Sequence, residues 1–139
     1  MLGDETIMPE ESVLRRFNPT RPDHIAQDEG TGEYRLRSGA FYLRRDEEGY
    51  STHRRHVLDA NHLAADLVKS PPYVGLAEAS VKCIHACNPQ WIVQPDPWPE
   101  GYDASRPVDA AHALVIPTAR PTRGNTRPLI GCFAILCME

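Results

Sequence analysis

Ser51-Thr52-His53-Arg54-Arg55-His56-Val57-Leu58-Asp59-Ala60-Asn61-His62-Leu63-Ala64-Ala65-Asp66-Leu67-Val68-Lys69 carries the longest helical apolar pattern in this chain. Val57, Leu58, Leu63, Ala64, Leu67 and Val68 recur at helical spacing, opposite a polar face carrying Arg54, Arg55, Asp59 and Asp66. Ser51 or Thr52 offers a capping hydroxyl and Pro71-Pro72 a stop, so the pattern predicts one helix from about His53 to Lys69.

The segments on either side of that helix read as strands and loops, with one further short helix. Asp46-Glu47-Glu48-Gly49 is a turn, and Tyr34–Arg37 and Ala40–Leu43 are two strand segments broken at Ser38-Gly39. The prolines, glycines and acids from Asn18 to Gly32 mark a long surface loop. Val13–Phe17 begins the folded part, and residues 1–12, acidic and without apolar periodicity, form a loose terminus. On the far side, Tyr73–Ala79 reads as a strand, Ser80 caps a short helix from Val81 to Cys87, and Trp91–Val93 is a further strand. Pro95–Pro107 is too rich in proline to pair internally, and a loop of that length in a small domain is usually functional or mobile. Ala111–Ile116 is almost wholly apolar, as expected of a strand inside a sheet. Leu129–Met138 is apolar all round, which periodicity cannot assign to helix or strand; Pro128, with Thr126 as a cap, favours helix. The resulting order, β-β-α-β-α-β-β-α, predicts an α+β domain over residues 13–139, a mixed sheet of about four to five strands with helices mainly on one face.

Composition narrows the function classes. With 139 residues the chain has room for one domain, not for an enzyme with a separate cofactor domain. A formal charge of −4 argues against a surface built to grip nucleic acid or an anionic membrane, although a local basic patch remains compatible with it. No run approaches the ~18 uncharged apolar residues of a membrane span, and the Met-Leu-Gly-Asp-Glu start lacks a secretory pattern, so a soluble cytoplasmic protein is expected. Lysine occurs only at Lys69 and Lys82; the rest of the positive charge is arginine, which forks carboxylates and phosphates, but which a GC-rich genome also produces without functional demand.

Cys83, Cys87, Cys132 and Cys137 allow three disulfide connectivities or a four-thiolate metal site. Their C-x3-C and C-x4-C spacings differ from the C-x2-C knuckles of zinc ribbons, and each lies among apolar neighbours. Four reduced core thiols, with no metal and no cofactor, are therefore expected.

Four patches carry candidate chemistry. Arg120, Arg123 and Arg127 flank a Gly-Asn turn leading into the last apolar element, and at a helix N-terminus they would hold a phosphate or carboxylate; the competing reading is a solvated arginine loop. His53 and His56, three apart on a helix, would share a face and act as acid and base, but the spacing is not H-E-x-x-H and no third ligand is evident. His112, opening an apolar strand, would be a neutral base if buried, or a structural histidine bonded to a carbonyl. Trp98 and Tyr102 in the proline loop offer rings for stacking on a ligand or docking a partner, or simply cover the core edge. No nucleophile elbow or dinucleotide fingerprint is present.

The succession Glu33-Tyr34-Arg35-Leu36, Gly39-Ala40-Phe41, Gly49-Tyr50-Ser51, Val74–Glu78 and His112-Ala113-Leu114-Val115 resembles that of a family of small bacterial proteins without an assigned activity, over about residues 33–120. The resemblance implies a stand-alone bacterial domain, encoded beside larger partners, and supplies no catalytic residues; the Pro95–Pro107 loop is longer than the family's link. Two functions follow as expectations. The first is an accessory or binding module that recognises an anionic ligand or a partner protein through Arg120, Arg123, Arg127, Trp98 and Tyr102. The second is a small enzyme acting on a phosphate-bearing or nucleotide substrate, with His112 or the His53–His56 pair as general base. Geometry separates them: the enzyme requires histidines and arginines to share one concavity.

Overall fold

In the computed structural model, which describes residues 6–43, 47–96 and 107–138, the stretch read as the start of the main helix is extended. Strand β4 (Tyr50–Arg54) carries three successive buried residues, Thr52, His53 and Arg54. Burial of neighbours on alternating sides belongs to a strand covered on both faces, not to a helix with a wet side. The helix that follows, α1 (Arg55–Ala60), is short. Asn61 ends it, its side chain donating to the Val57 carbonyl at 2.7 Å, and His62 turns the backbone into the left-handed region at φ 57°. A 3₁₀ turn at Ala65–Val68 completes the segment. Val57, Leu58 and Val68 are still buried in a single cluster, with Leu63 packed against it. The apolar spacing therefore reported part of a buried face: Ala64 and Leu67 are exposed, and Arg54, read on the wet face, is fully buried, because the chain covers the sheet in broken pieces and not as one helix.

The remaining strands are β1 (Ser12–Phe17), β2 (Ile25–Gln27), β3 (Tyr34–Leu36), β5 (Gly75–Ser80), β6 (Trp91–Pro95), β7 (His112–Pro117) and β8 (Ala134–Cys137); the other helices are α2 (Val81–His85) and α3 (Arg123–Gly131). Six strands form one antiparallel sheet in the order β6-β7-β4-β1-β5-β8, while β2 and β3 pair apart as a small ribbon. The sheet is thus larger than the four to five strands expected, and antiparallel rather than mixed. Three of its strands are unexpected, β4 as described above together with β1 and β8, while of the expected segments Tyr34–Leu36 pairs outside this sheet and Ala40–Leu43 is not a strand. Val13–Phe17 is an interior strand, between β4 and β5. The terminal apolar stretch, read as helix, divides: α3 begins earlier, capped by Thr122 rather than Thr126, and ends at Gly131, after which Ala134–Cys137 adds the β8 edge. Ala111–Ile116 fits its reading, since β7 lies between β6 and β4.

Both faces of the sheet are covered, which corrects the expectation of helices mainly on one. On one side Val13, Phe17, Ala77, Trp91 and Val115 pack under α2 and α3 through Ile84 and Leu129, and under the 36–41 segment through Phe41. On the other side Leu14 and Leu76 pack under α1 and the 3₁₀ turns at Ala65–Val68 and Pro107–Ala111 through Val57, Leu58, Val68 and Val108. Burying both faces is why the strands lack a clean polar alternation. It also traps charge: Arg54 is fully buried and forks Glu11, with Nε–Oε1 and Nη2–Oε2 both at 3.0 Å. Glu11, in the stretch read as a loose terminus, is only 8% exposed.

The expectation of four reduced thiols also fails. Cys83 and Cys132 form a disulfide, and Cys87 and Cys137 are free. The pairing joins the two helices that flank the same face, Cys83 lying in α2 and Cys132 at the C-terminal cap of α3. No helix among the described residues is long and apolar enough to cross a membrane.

Candidate functional site

The antiparallel register of β4 and β7 sets His53 opposite His112, with ring centroids 5.5 Å apart and an edge-to-face tilt of 79°. Two residues along β4 on the same face is Ser51, whose Oγ lies 2.5 Å from His112 Nε2. On the other side of the ring, His112 Nδ1 lies 3.0 Å from the Asp96 carbonyl oxygen and 3.1 Å from Asp96 Oδ2. Asp96 follows β6 directly and is fixed by its own N–H, which donates to the His112 carbonyl at 2.9 Å. Both partners of Nδ1 are acceptors, so in the neutral ring Nδ1 carries the proton and Nε2 accepts from the Ser51 hydroxyl. Strand pairing thus builds a serine–imidazole–carboxylate chain with the polarity required to draw a proton from Ser51.

His112 is 4% exposed. Burial pushes its pKa below the ordinary histidine value; the Asp96 carbonyl and carboxylate pull it back up, and Arg16 adds to the depression. The ring is consequently a neutral base at pH 7.

Ser51 lines a cleft of about 680 Å³ at the end of β1 and the start of β4, walled by the 21–24 and 39–42 segments. Gly39 is required in that wall, because a Cβ there would collide with the Asp23 backbone carbonyl. Three arginines, Arg15, Arg16 and Arg21, face two carboxylates, Asp23 and Glu47, so the lining holds one positive charge in excess. Arg21 is forked by Asp23 at 3.0 and 3.1 Å. Arg15 differs in kind: its hydrogen bonds go to neutral carbonyls, from Nε and Nη2 to Ala40 at 3.1 and 2.7 Å and from Nη1 to Ser51 at 2.8 Å. Its guanidinium also lies over the Phe41 and Tyr50 rings, 5.0 and 5.1 Å from their centroids. Burial lowers the Arg15 pKa to about 10, so it stays a cation at neutral pH, pinned to the Ser51 backbone carbonyl on the Tyr50 side of the strand, without a carboxylate within ion-pair distance among the described residues.

The residues singled out by sequence are distributed unevenly around this cleft. His112 is central to the chain of hydrogen bonds, and His53 meets its ring edge to face from within the buried sheet. His56 lies in α1 on the surface, so the His53–His56 pair shares no face; the reason is that His53 belongs to β4. Arg120 and Arg123 line a neighbouring cleft of about 780 Å³, which shares Tyr42, Glu47 and Tyr50 with the first. Thr122 caps α3 there, its Oγ1 accepting from the Asn125 N–H at 3.1 Å. Arg127 is exposed on α3 and lines neither cleft. Trp98 and Tyr102 lie outside the described residues. Sequence reasoning missed Ser51, read as a helix cap, as well as Asp96 and Arg15. The available signals were the i, i+2 spacing of Ser51 and His53, which shares a face only on a strand, and the Arg15-Arg16 pair inside an apolar segment. No group of three or more histidine, cysteine, aspartate or glutamate side chains among the described residues is arranged to hold a metal ion.

The chain matches no protein-family model, no curated protein and no solved structure.

Proposed function

We propose that this protein is a small enzyme acting on a phosphate-bearing substrate, with His112 as general base, Ser51 as the hydroxyl it deprotonates, and Arg15 and Arg16 neutralising the anion. The observation that carries this reading is the Ser51–His112–Asp96 chain opening into the same cleft as the arginines. Nε2 takes the Ser51 proton as Oγ bonds to phosphorus; the leaving oxygen departs with its bonding pair and collects that proton from the imidazolium. Asp96 holds the ring in its working tautomer, and the fixed Arg15 cation offsets charge building on the phosphoryl oxygens. Water then repeats the cycle on the phosphoserine.

The test is turnover of p-nitrophenyl phosphate, with p-nitrophenyl butyrate as the acyl comparison. Ser51→Ala should abolish phosphate release, and His112→Asn should lower it by ~10²–10⁴ while inorganic phosphate still protects the protein against thermal unfolding. Equal turnover by Ser51→Ala and wild type would remove the mechanism. The binding-module reading keeps one supporting observation, the cleft lined by Arg120 and Arg123 at the capped start of α3. Phosphate binding that weakens in Arg120→Met and Arg123→Met, is indifferent to Arg15→Met and proceeds without turnover would favour it.

A further inference from the structure

Three sulfurs meet where α2 and α3 approach each other. Cys83, exposed, is disulfide-bonded to the half-buried Cys132, and the half-buried thiol of Cys87 lies 3.8 Å from Cys132 Sγ and 3.5 Å from the Cys83 carbonyl oxygen. Ser80 Oγ accepts the Cys83 N–H at 3.1 Å and so fixes the first turn of α2, while Cys87 comes just after the Ala86 cap of that helix. The free thiol therefore touches the half-buried member of the bond, and the exposed member is the one that would be displaced. To bond to Cys132, Cys87 Sγ has to close from 3.8 Å to a disulfide length of about 2.05 Å, within reach of side-chain rotation and a small backbone adjustment.

We propose that Cys83, Cys87 and Cys132 form a thiol–disulfide exchange site, in which Cys132 is the shared sulfur and Cys83 the thiol presented to disulfides outside the protein. In the internal step the Cys87 thiolate, its proton given to solvent, attacks Cys132 Sγ; a Cys87–Cys132 bond forms as the Cys83–Cys132 bond breaks, and the electron pair leaves on Cys83 Sγ. One disulfide and one thiol stand on each side, so no oxidant or reductant is consumed. The released Cys83 thiolate then attacks an external disulfide, forming a mixed disulfide and expelling the other half as a thiolate. The chemical class of substrate is a low-molecular-weight or protein disulfide.

The folded wild-type chain, incubated with glutathione disulfide and mapped by peptide mass spectrometry without reduction, should carry glutathione on Cys83 together with a Cys87–Cys132 disulfide. Cys87→Ser should lose the Cys83 adduct, because no thiol remains to release Cys83. Cys83→Ser should form the Cys87–Cys132 disulfide, which shows independently of any adduct that the second pairing is reachable. Glutathione found on Cys87, with Cys83–Cys132 intact, would overturn the proposal by making Cys87 an ordinary reactive thiol. So would a Cys83→Ser protein that keeps Cys87 and Cys132 as free thiols after oxidation.

Discussion

Replacing Glu11 by alanine should cost the fold about 3 kcal/mol, although sequence places this residue in a loose terminus. The Arg54 guanidinium is fully buried and its Nε and Nη2 donate to the two Glu11 oxygens at 3.0 Å each. The same carboxylate accepts the Met8 N–H at 2.8 Å, and the Glu11 carbonyl accepts the Val81 N–H at 2.9 Å. The pair therefore ties the entry to β1, the end of β4 and the start of α2. Removing one partner of such a pair strands a charge away from water, a loss of about 3–5 kcal/mol. Arg54 keeps further contacts, which sets the lower figure. For a chain of this length, with an unfolding entropy of about 2 cal/mol/K per residue, 3 kcal/mol lowers Tm by about 10 °C. Urea unfolding at unchanged m-value measures it. The Glu11→Leu, Arg54→Met double variant should recover most of the loss, since neither charge is then buried alone, and 1 M salt should leave the wild-type contribution largely intact. A Glu11→Ala loss below about 1 kcal/mol, or a double variant as unstable as the two single losses added together, would refute the account.

Other expected outcomes concern packing and pH. Gly75→Ala would set a Cβ 2.5 Å from the Phe17 ring, so it should cost about 1–3 kcal/mol in urea unfolding, and Phe17→Leu in the same chain should return part of it. Leu129→Ala, at a fully buried contact of α3 with the sheet, should cost about 2–5 kcal/mol by the same measurement. Burial depresses the pKa of both His24 and His112, so the unfolded chain takes up protons first as pH falls; the urea midpoint should hold above about pH 6.5 and decline below it, with a smaller decline in His112→Asn. Asp96 raises the pKa of His112, so Asp96→Asn should move the acid limb of kcat/KM for p-nitrophenyl phosphate to lower pH as well as slowing turnover; an acid limb that moves upward would contradict the assigned base.

What could be read from the sequence was burial more than conformation. Of the apolar face read from spacing, Val57, Leu58, Leu63 and Val68 are covered, but Ala64 and Leu67 are exposed, because the periodicity assumed one continuous helix and the helix ends at Asn61. Spacing could not record that β1 and β7 would claim His53 and Arg54 as strand, since that depends on partners about forty residues before and sixty after. Ala111–Ile116 was legible because a strand with neighbours on both sides and layers on both faces has no polar position to spare. His112 was visible as a candidate for the same reason: an imidazole in such a strand has to find partners. Those partners were not visible, because Ser51 and Asp96 reach it across the sheet. The disulfide was hidden by cysteines set among apolar neighbours, a context that buried thiols share with paired ones.

The sheet order carries a consequence for how this polypeptide is made. β1 leaves the ribosome ahead of both strands that flank it, and its last hydrogen-bonding partner, Ser80 opposite Ser12, is synthesised only when β5 is complete. β4 can pair with one edge of β1 before that, at Val13 and Leu14, but the donors and acceptors of the other edge have nothing to bind until then except water or another chain. A nascent chain arrested before β5 would display a sticky ribbon, and the interval between those two strands is where this protein most needs a chaperone's cover.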